Sequence, residues 1–172
     1  WSKGKTILNL DKKDVPISLM AETLEKYDKE TTVMLTVHSA EQALFYHSRN
    51  KDRMFSAFIK TEAEFQEYDR SGVPWTQMIA YIGPRIKGEN NKIYELLNAK
   101  GVMCMISAAS SYDKYDNSSK RMKAYVDIMK DGASIIESDF PLDVYEAIKF
   151  ELPKNNQKKK FYATKAYNSQ QN

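Results

Sequence analysis

Three polar residues at alternate positions, Asn9, Asp11 and Lys13, interrupt the apolar run that opens the chain at ILNLDKK. In an extended segment successive side chains point to opposite faces, so these three share one face while Leu8 and Leu10 take the other. An amide, a carboxylate and an ammonium in a row can do chemistry. The Asp11 carboxylate can hold a divalent cation through oxygen. The Lys13 ammonium can neutralise negative charge developing on a phosphoryl oxygen. A salt-bridged Asp–Lys pair filling the end of a barrel explains the same pattern, and composition does not decide between the two.

Other candidates follow along the chain. His38 ends the apolar run TVMLTVH in line with Thr36; it could line the mouth of a site and touch a phosphate, or serve as a hydrogen-bonded structural histidine. His47 falls in the helix that follows and reads as a surface or packing residue. The stretch YIGPRIKGEN carries Arg85 and Lys87 out of another apolar run, where both charges can meet an anionic substrate or simply stay solvated. The longest polar connection, SAASSYDKYDNSSK, offers Ser107, Ser110, Ser111 and Tyr112 as hydrogen-bonding groups, but no base is placed to activate a serine. Asp113, Asp116 and Asn117 lack the glycine and the distal glutamate of a calcium loop. The single cysteine, Cys104, lies inside GVMCMIS; it reads as buried and inert, and it excludes an internal disulfide and a thiolate-cluster zinc site.

The elements that must position these residues alternate regularly. Apolar runs of strand length begin near residues 6, 32, 54, 78, 101 and 133. Helical patterns lie between them. PISLMAETLEKYD places Ile17, Met20 and Leu24 on one face behind Pro16. SAEQALFYHSR opens on Ser39, a natural N-cap. TEAEFQEYDRSG starts with acids and stops at Gly72, and later helices stop at Gly101 and Gly132. A last helix, LDVYEAIKF, precedes Pro153. Six β–α alternations specify an α/β fold with parallel strands. Neither G-x-G-x-x-G nor G-x-x-x-x-G-K follows the first strand, which argues against a nucleotide-binding doubly wound sheet. The remaining parallel solution is a TIM-type (β/α) barrel of eight units, here incomplete with six visible. The expected division is a partial barrel over residues 1–152 and a polar tail or surface strap over 153–172.

The 172 residues suffice for one domain with a core, and the composition, 42% hydrophobic and 28% charged, is that of a globular protein. The net charge of +3 is small and its basic residues are interspersed with acids, unlike a nucleic-acid footprint. No apolar run approaches a membrane span, and WSKGKT is not a signal peptide.

LNLDKK resembles the Asn-x-Glu-x-Lys strand of glycerophosphodiester phosphodiesterases, with Asp11 in place of the glutamate. GASIIESDFP is similar to that family's closing Gly-x-Asp-Gly-Ile-Ile-Thr-Asp-x-Pro strand, matched at Ser138, Asp139 and Pro141, with Glu137 as a local variation. The six units between these anchors fit the third to eighth units of that barrel, so the resemblance covers about residues 5–150. It implies metal-dependent hydrolysis of phosphodiesters, such as glycerophosphocholine or glycerophosphoethanolamine, in lipid metabolism. It also implies a Ca²⁺ or Mg²⁺ cofactor with Asp11 as one ligand, Lys13 as the catalytic cation on phosphate, and Asn9 as a polar group lining the site; His38 and Arg85 join them as substrate-binding candidates from their own positions at strand ends. The family's His-Arg-Gly, Glu-x-Asp and His-Asp motifs are absent here, as is a tryptophan in MCMISAASS. Those histidine and acid motifs belong to the first two barrel units. The expectation is therefore a fragment inactive alone, with exposed strand edges that invite a missing N-terminal segment or a second copy. The partner is a small phosphodiester, not nucleic acid, and the resemblance points to the periplasm or cell surface. The alternative from the residues is a non-catalytic module, derived from a barrel, that binds an anionic ligand or assembles with a partner.

Overall fold

The computed structural model describes residues 6–28 and 33–149; the tail expected at 153–172 lies outside the described residues. Six strands form one sheet: β1 (Leu8–Leu10), β2 (Val33–Val37), β3 (Met54–Phe58), β4 (Met78–Gly83), β5 (Met103–Ser107) and β6 (Ile135–Glu137). All neighbours are parallel and the spatial order is the sequence order. The helices α1 (Ile17–Tyr27), α2 (Ala40–Arg49), α3 (Glu62–Ser71), α4 (Asn90–Ala99) and α5 (Ser118–Asp131) make the crossovers, and α6 (Pro141–Ile148) follows β6. Because right-handed crossovers that always step the same way stay on one side, the helices cover one face. A doubly wound sheet would reverse its order midway. This one does not.

Local chemistry sets the element ends. Ser39 caps α2 by accepting from the Gln42 amide at 3.3 Å. Thr61 and Glu64 form a reciprocal capping box at the start of α3, and Gly72 ends that helix with φ 76°, a conformation that favours glycine. The Asn117 side chain caps α5 by accepting from the Ser119 and Lys120 amides. Pro141 takes the first turn of α6, where a missing N–H costs nothing.

The strands have two apolar faces. Val33, Leu35, Val37, Phe55, Ala57, Cys104 and Ile106 join the large core shared with the helices. The alternate residues Met54, Ile79 and Met105 form a second cluster with Met34, Tyr81 and Ile135 on the other face. Each large side chain removed from water contributes about 1.5–3 kcal/mol, and this double burial is why the strands read as continuous apolar runs. Arg53, 3% exposed, pairs with Asp28 and donates to the Val33 carbonyl at 3.1 Å, tying the end of α1 to the starts of β2 and β3.

The sheet is curled. In a flat sheet the first and last of six strands would lie about 24 Å apart. The charge of Glu137, at the end of β6, nevertheless acts on the Lys13 ammonium beyond the end of β1. Only a half-barrel bend, with the helix-free face concave, brings those two ends within reach of each other. Among the described residues, β1 pairs only with β2 and β6 only with β5.

Candidate functional site at the C-terminal strand ends

Alternation carries a row of polar and aromatic side chains onto the concave face at the C-terminal strand ends. Asn9 and Thr36 are joined by a hydrogen bond from the Thr36 hydroxyl to Asn9 Oδ1, 3.1 Å long, across the β1–β2 pair. One step further along the strands, Asp11 Oδ1 lies 3.6 Å from His38 Nε2, and Asp11 Oδ2 accepts from Lys13 Nζ at 2.7 Å. The His38 amide donates to Gln42 Oε1 at 3.0 Å, so the first turn of α2 fixes its backbone. The His38 ring sits 4.3 Å from Phe58, which sits 4.4 Å from Tyr81. Beyond β3, the Lys60 ammonium lies 4.6 Å from the Phe58 ring centre and 5.2 Å from that of Tyr81. On the far side, Ser107 and Glu137 are paired in register at the ends of β5 and β6.

Lys13 is held in a costly backbone conformation. Its φ of 48° makes it the non-glycine residue with positive φ among the described residues, at a cost of about 1–2 kcal/mol. The turn folds its ammonium back onto the carboxylate two residues earlier; the Lys13 amide also points to Asp11 Oδ1 at 3.4 Å. The hydrogen bond from Lys13 holds the Asp11 carboxyl below its usual range, and the same contact raises Lys13 above its own. Asp11 is thus ionised and Lys13 protonated through the neutral range. The pair suits charge stabilisation rather than proton transfer.

Three residues gain roles that sequence reasoning missed. Glu137 stands on the concave mouth, where its charge acts on Lys13 and raises the Tyr81 phenol behind burial. Asp113 is 6% exposed and accepts from the Tyr125 hydroxyl at 2.6 Å, the Ser138 hydroxyl at 2.9 Å and the Asp139 amide at 2.7 Å. It fastens the β5–α5 connection to the end of β6. Lys60 completes the aromatic wall. The signals were the i, i+2 continuation from Phe58 to Lys60 and from Ile135 to Glu137, both masked by strands that are apolar on two faces.

The remaining candidates have other neighbours. The Arg85 guanidinium, on the connection that leaves the C-terminal end of β4, lies 5.9 Å from the Tyr112 ring centre. The Ser111 hydroxyl donates to the Pro84 carbonyl, and the Tyr112 hydroxyl accepts from the Ile86 amide at 3.1 Å, so both serve the loop itself. His47 is buried in the helical layer, with its pKa lowered by that burial. Cys104 is fully buried, its thiol pushed up to about 12.

The donor set around Asp11 falls short of what a divalent cation needs. Among the described residues no three His, Cys, Asp or Glu side chains converge to hold a metal ion. Asp11 supplies one carboxylate that already faces Lys13, whereas a hard cation of the calcium type takes six to eight oxygens. The described residues therefore do not form a metal site by themselves.

A parallel half-barrel of sequential strands, with its polar groups gathered at the C-terminal ends, is the architecture of barrel-type α/β proteins. The solved structure of a glycerophosphoryl diester phosphodiesterase from Parabacteroides distasonis matches it with a TM-score of 0.84 and 44% sequence identity, over 93% of this chain. The chain belongs to the glycerophosphodiester phosphodiesterase family. It spans 56% of the length of that relative's chain. No protein-family model and no curated protein matches it. Among the described residues no helix is long and apolar enough to cross a membrane.

Proposed function

We propose that the intact protein hydrolyses small phosphodiesters of the glycerophosphodiester class, with the concave mouth of β1 and β2 forming part of its active site and two further βα units completing the barrel. The observation that carries this reading is the Lys13–Asp11–His38 chain of contacts, 2.7 Å and 3.6 Å long, at the strand ends. In this reading Lys13, 79% exposed, offers its ammonium to the phosphoryl oxygens, where developing charge is worth most to stabilise. Asp11 aims that ammonium and holds it protonated. His38, braced on Phe58, presents its ring beside the same carboxylate, and Asn9 with Thr36 supplies the polar floor.

A Ca²⁺ or Mg²⁺ ion would be held by Asp11 together with further oxygen ligands from sequence outside these residues. The test is divalent-ion titration of the intact protein and of Asp11→Ala, read by calorimetry and by phosphodiester hydrolysis before and after chelation. Ion binding that disappears in the variant together with activity supports the reading. Hydrolysis indifferent to both chelation and Asp11 overturns it.

A second reading rests on the Lys13 ammonium, 79% exposed at the strand ends and so open to an anion: a non-catalytic anion-binding or assembly module derived from a barrel. Saturable binding of a glycerophosphodiester by the intact protein, with no turnover under any divalent ion, would favour that module.

A further inference from the structure

The aromatic wall of the mouth bears on which alcohol the phosphodiester carries. Phe58 and Tyr81 present their faces to the concave side, tilted by 46° to each other. Such a pair is the ordinary receptor for a quaternary ammonium, which is drawn to the negative faces of aromatic rings. Here those faces are already covered by a cation of the protein itself, Lys60, at 4.6 Å and 5.2 Å from the two ring centres.

Lys60 is not there by slack. Its own amide donates to Glu64 Oε2 at 2.7 Å, and the Thr61 amide donates to the same oxygen at 2.9 Å. The preceding residue, Ile59, is fully buried, and its amide donates to the Tyr81 carbonyl at 3.2 Å, continuing the β3–β4 pairing. Backbone and capping box thus fix the point from which the side chain projects over the rings. No carboxylate among the described residues forms an ion pair with Lys60, in contrast to Lys13, whose ammonium is held by Asp11. A cationic head group entering the mouth would lose the aromatic faces and meet an ammonium instead.

We propose that Lys60 is a specificity-determining residue: seated on Phe58 and Tyr81, it excludes quaternary-ammonium head groups and selects phosphodiesters whose second alcohol is an uncharged polyol. This inference rests on the phosphodiesterase reading for its substrate class, but its test does not depend on turnover. Glycerol phosphate and phosphocholine are each titrated into the intact protein by calorimetry, for wild type, Lys60→Met and Lys60→Arg. Hydrolysis of glycerophosphoglycerol and glycerophosphocholine is compared in parallel.

The expected result is a wild-type preference for glycerol phosphate. Lys60→Met should move that preference towards phosphocholine by about two- to fivefold, the size of a cation–π contact at an open site. Lys60→Arg, which keeps a cation over the rings, should retain the wild-type ratio. A ratio unchanged in Lys60→Met overturns the proposal, as does failure of wild type to bind either ligand. If the ratio shifts while no variant hydrolyses either diester, the specificity role stands and the hydrolase reading falls. If both diesters are turned over with a ratio indifferent to Lys60, the hydrolase reading stands and the specificity role falls.

Discussion

Replacing Asp113 by alanine should destabilise the protein by about 2–4 kcal/mol, although the residue touches neither Asp11 nor Lys13. Its buried carboxylate accepts three hydrogen bonds, from Tyr125, Ser138 and the Asp139 amide, at 2.6, 2.9 and 2.7 Å. Hydrogen bonds to a charged group contribute about 1.5–3 kcal/mol each. The gross loss is offset by no longer holding a carboxylate away from water, which costs several kcal/mol, and the net falls in the stated range. For a domain of this size that corresponds to a fall in Tm of about 5–15 °C. Chemical denaturation of wild type, Asp113→Ala, Tyr125→Phe and the double variant apportions the effect. Tyr125→Phe alone should cost about 1.5–3 kcal/mol, and should cost little once Asp113 is gone. A second readout is the Tyr125 phenol, pushed up to about 12 by burial and then by its bond to Asp113; its titration should move down in Asp113→Ala. A variant within about 0.5 kcal/mol of wild type, the scatter of surface substitutions, would refute the claim that this carboxylate clamps the end of β6.

Further outcomes follow from the same geometry. Gly132→Ala should cost well over 1 kcal/mol, because a Cβ there would meet the Tyr94 ring at 3.0 Å with φ at +127°, whereas Gly72→Ala has open space and should cost only about 1 kcal/mol of backbone strain; equilibrium unfolding of the two separates them. Cys104 should resist alkylation in the folded protein at mildly alkaline pH and react fully after denaturation, since its thiol is fully buried and that burial pushes its pKa up to about 12. The Asp11 pKa is depressed below 3.8 by Lys13. Its stabilising contribution is therefore present above the ordinary carboxylate range and lost as pH falls below 3.8 through the depressed value. The exposed setting limits that contribution to at most about 1 kcal/mol. Carboxyl NMR titration should show the Asp11 pKa rising towards its ordinary value in Lys13→Met.

The order of elements was legible because β–α alternation leaves periodic marks. The run MIAYIG coincides with β4, and Ser39, Thr61, Gly72 and Gly132 bound helices as capping chemistry dictates. The outer strands are shorter than their apolar runs. β1 and β6 keep three residues each, for each has a single neighbour among the described residues to supply hydrogen bonds. The shared face of Asn9, Asp11 and Lys13 was readable from alternation, although Lys13 reaches it through a left-handed turn rather than an extended strand. Glu137 was not readable as a mouth residue, because its proximity to Lys13 arises from sheet curl between elements more than a hundred residues apart. The Phe58–Tyr81–Lys60 wall was hidden for a related reason: β3 reads Met-Phe-Ser-Ala-Phe, apolar on both faces, so alternation gives no contrast. The short 3-10 turns Trp75–Gln77 and Tyr112–Lys114 carry no periodic signal, and the buried role of Asp113 depends on one of them.

The most direct test of the central claim is release of glycerol phosphate from a glycerophosphodiester by the intact protein, compared with Lys13→Met. The account predicts turnover in wild type and a loss of about a hundredfold or more in kcat for the variant, the scale of removing one charge-stabilising donor, with the fold retained. Turnover unchanged in Lys13→Met, or none in wild type with either calcium or magnesium supplied, would contradict it.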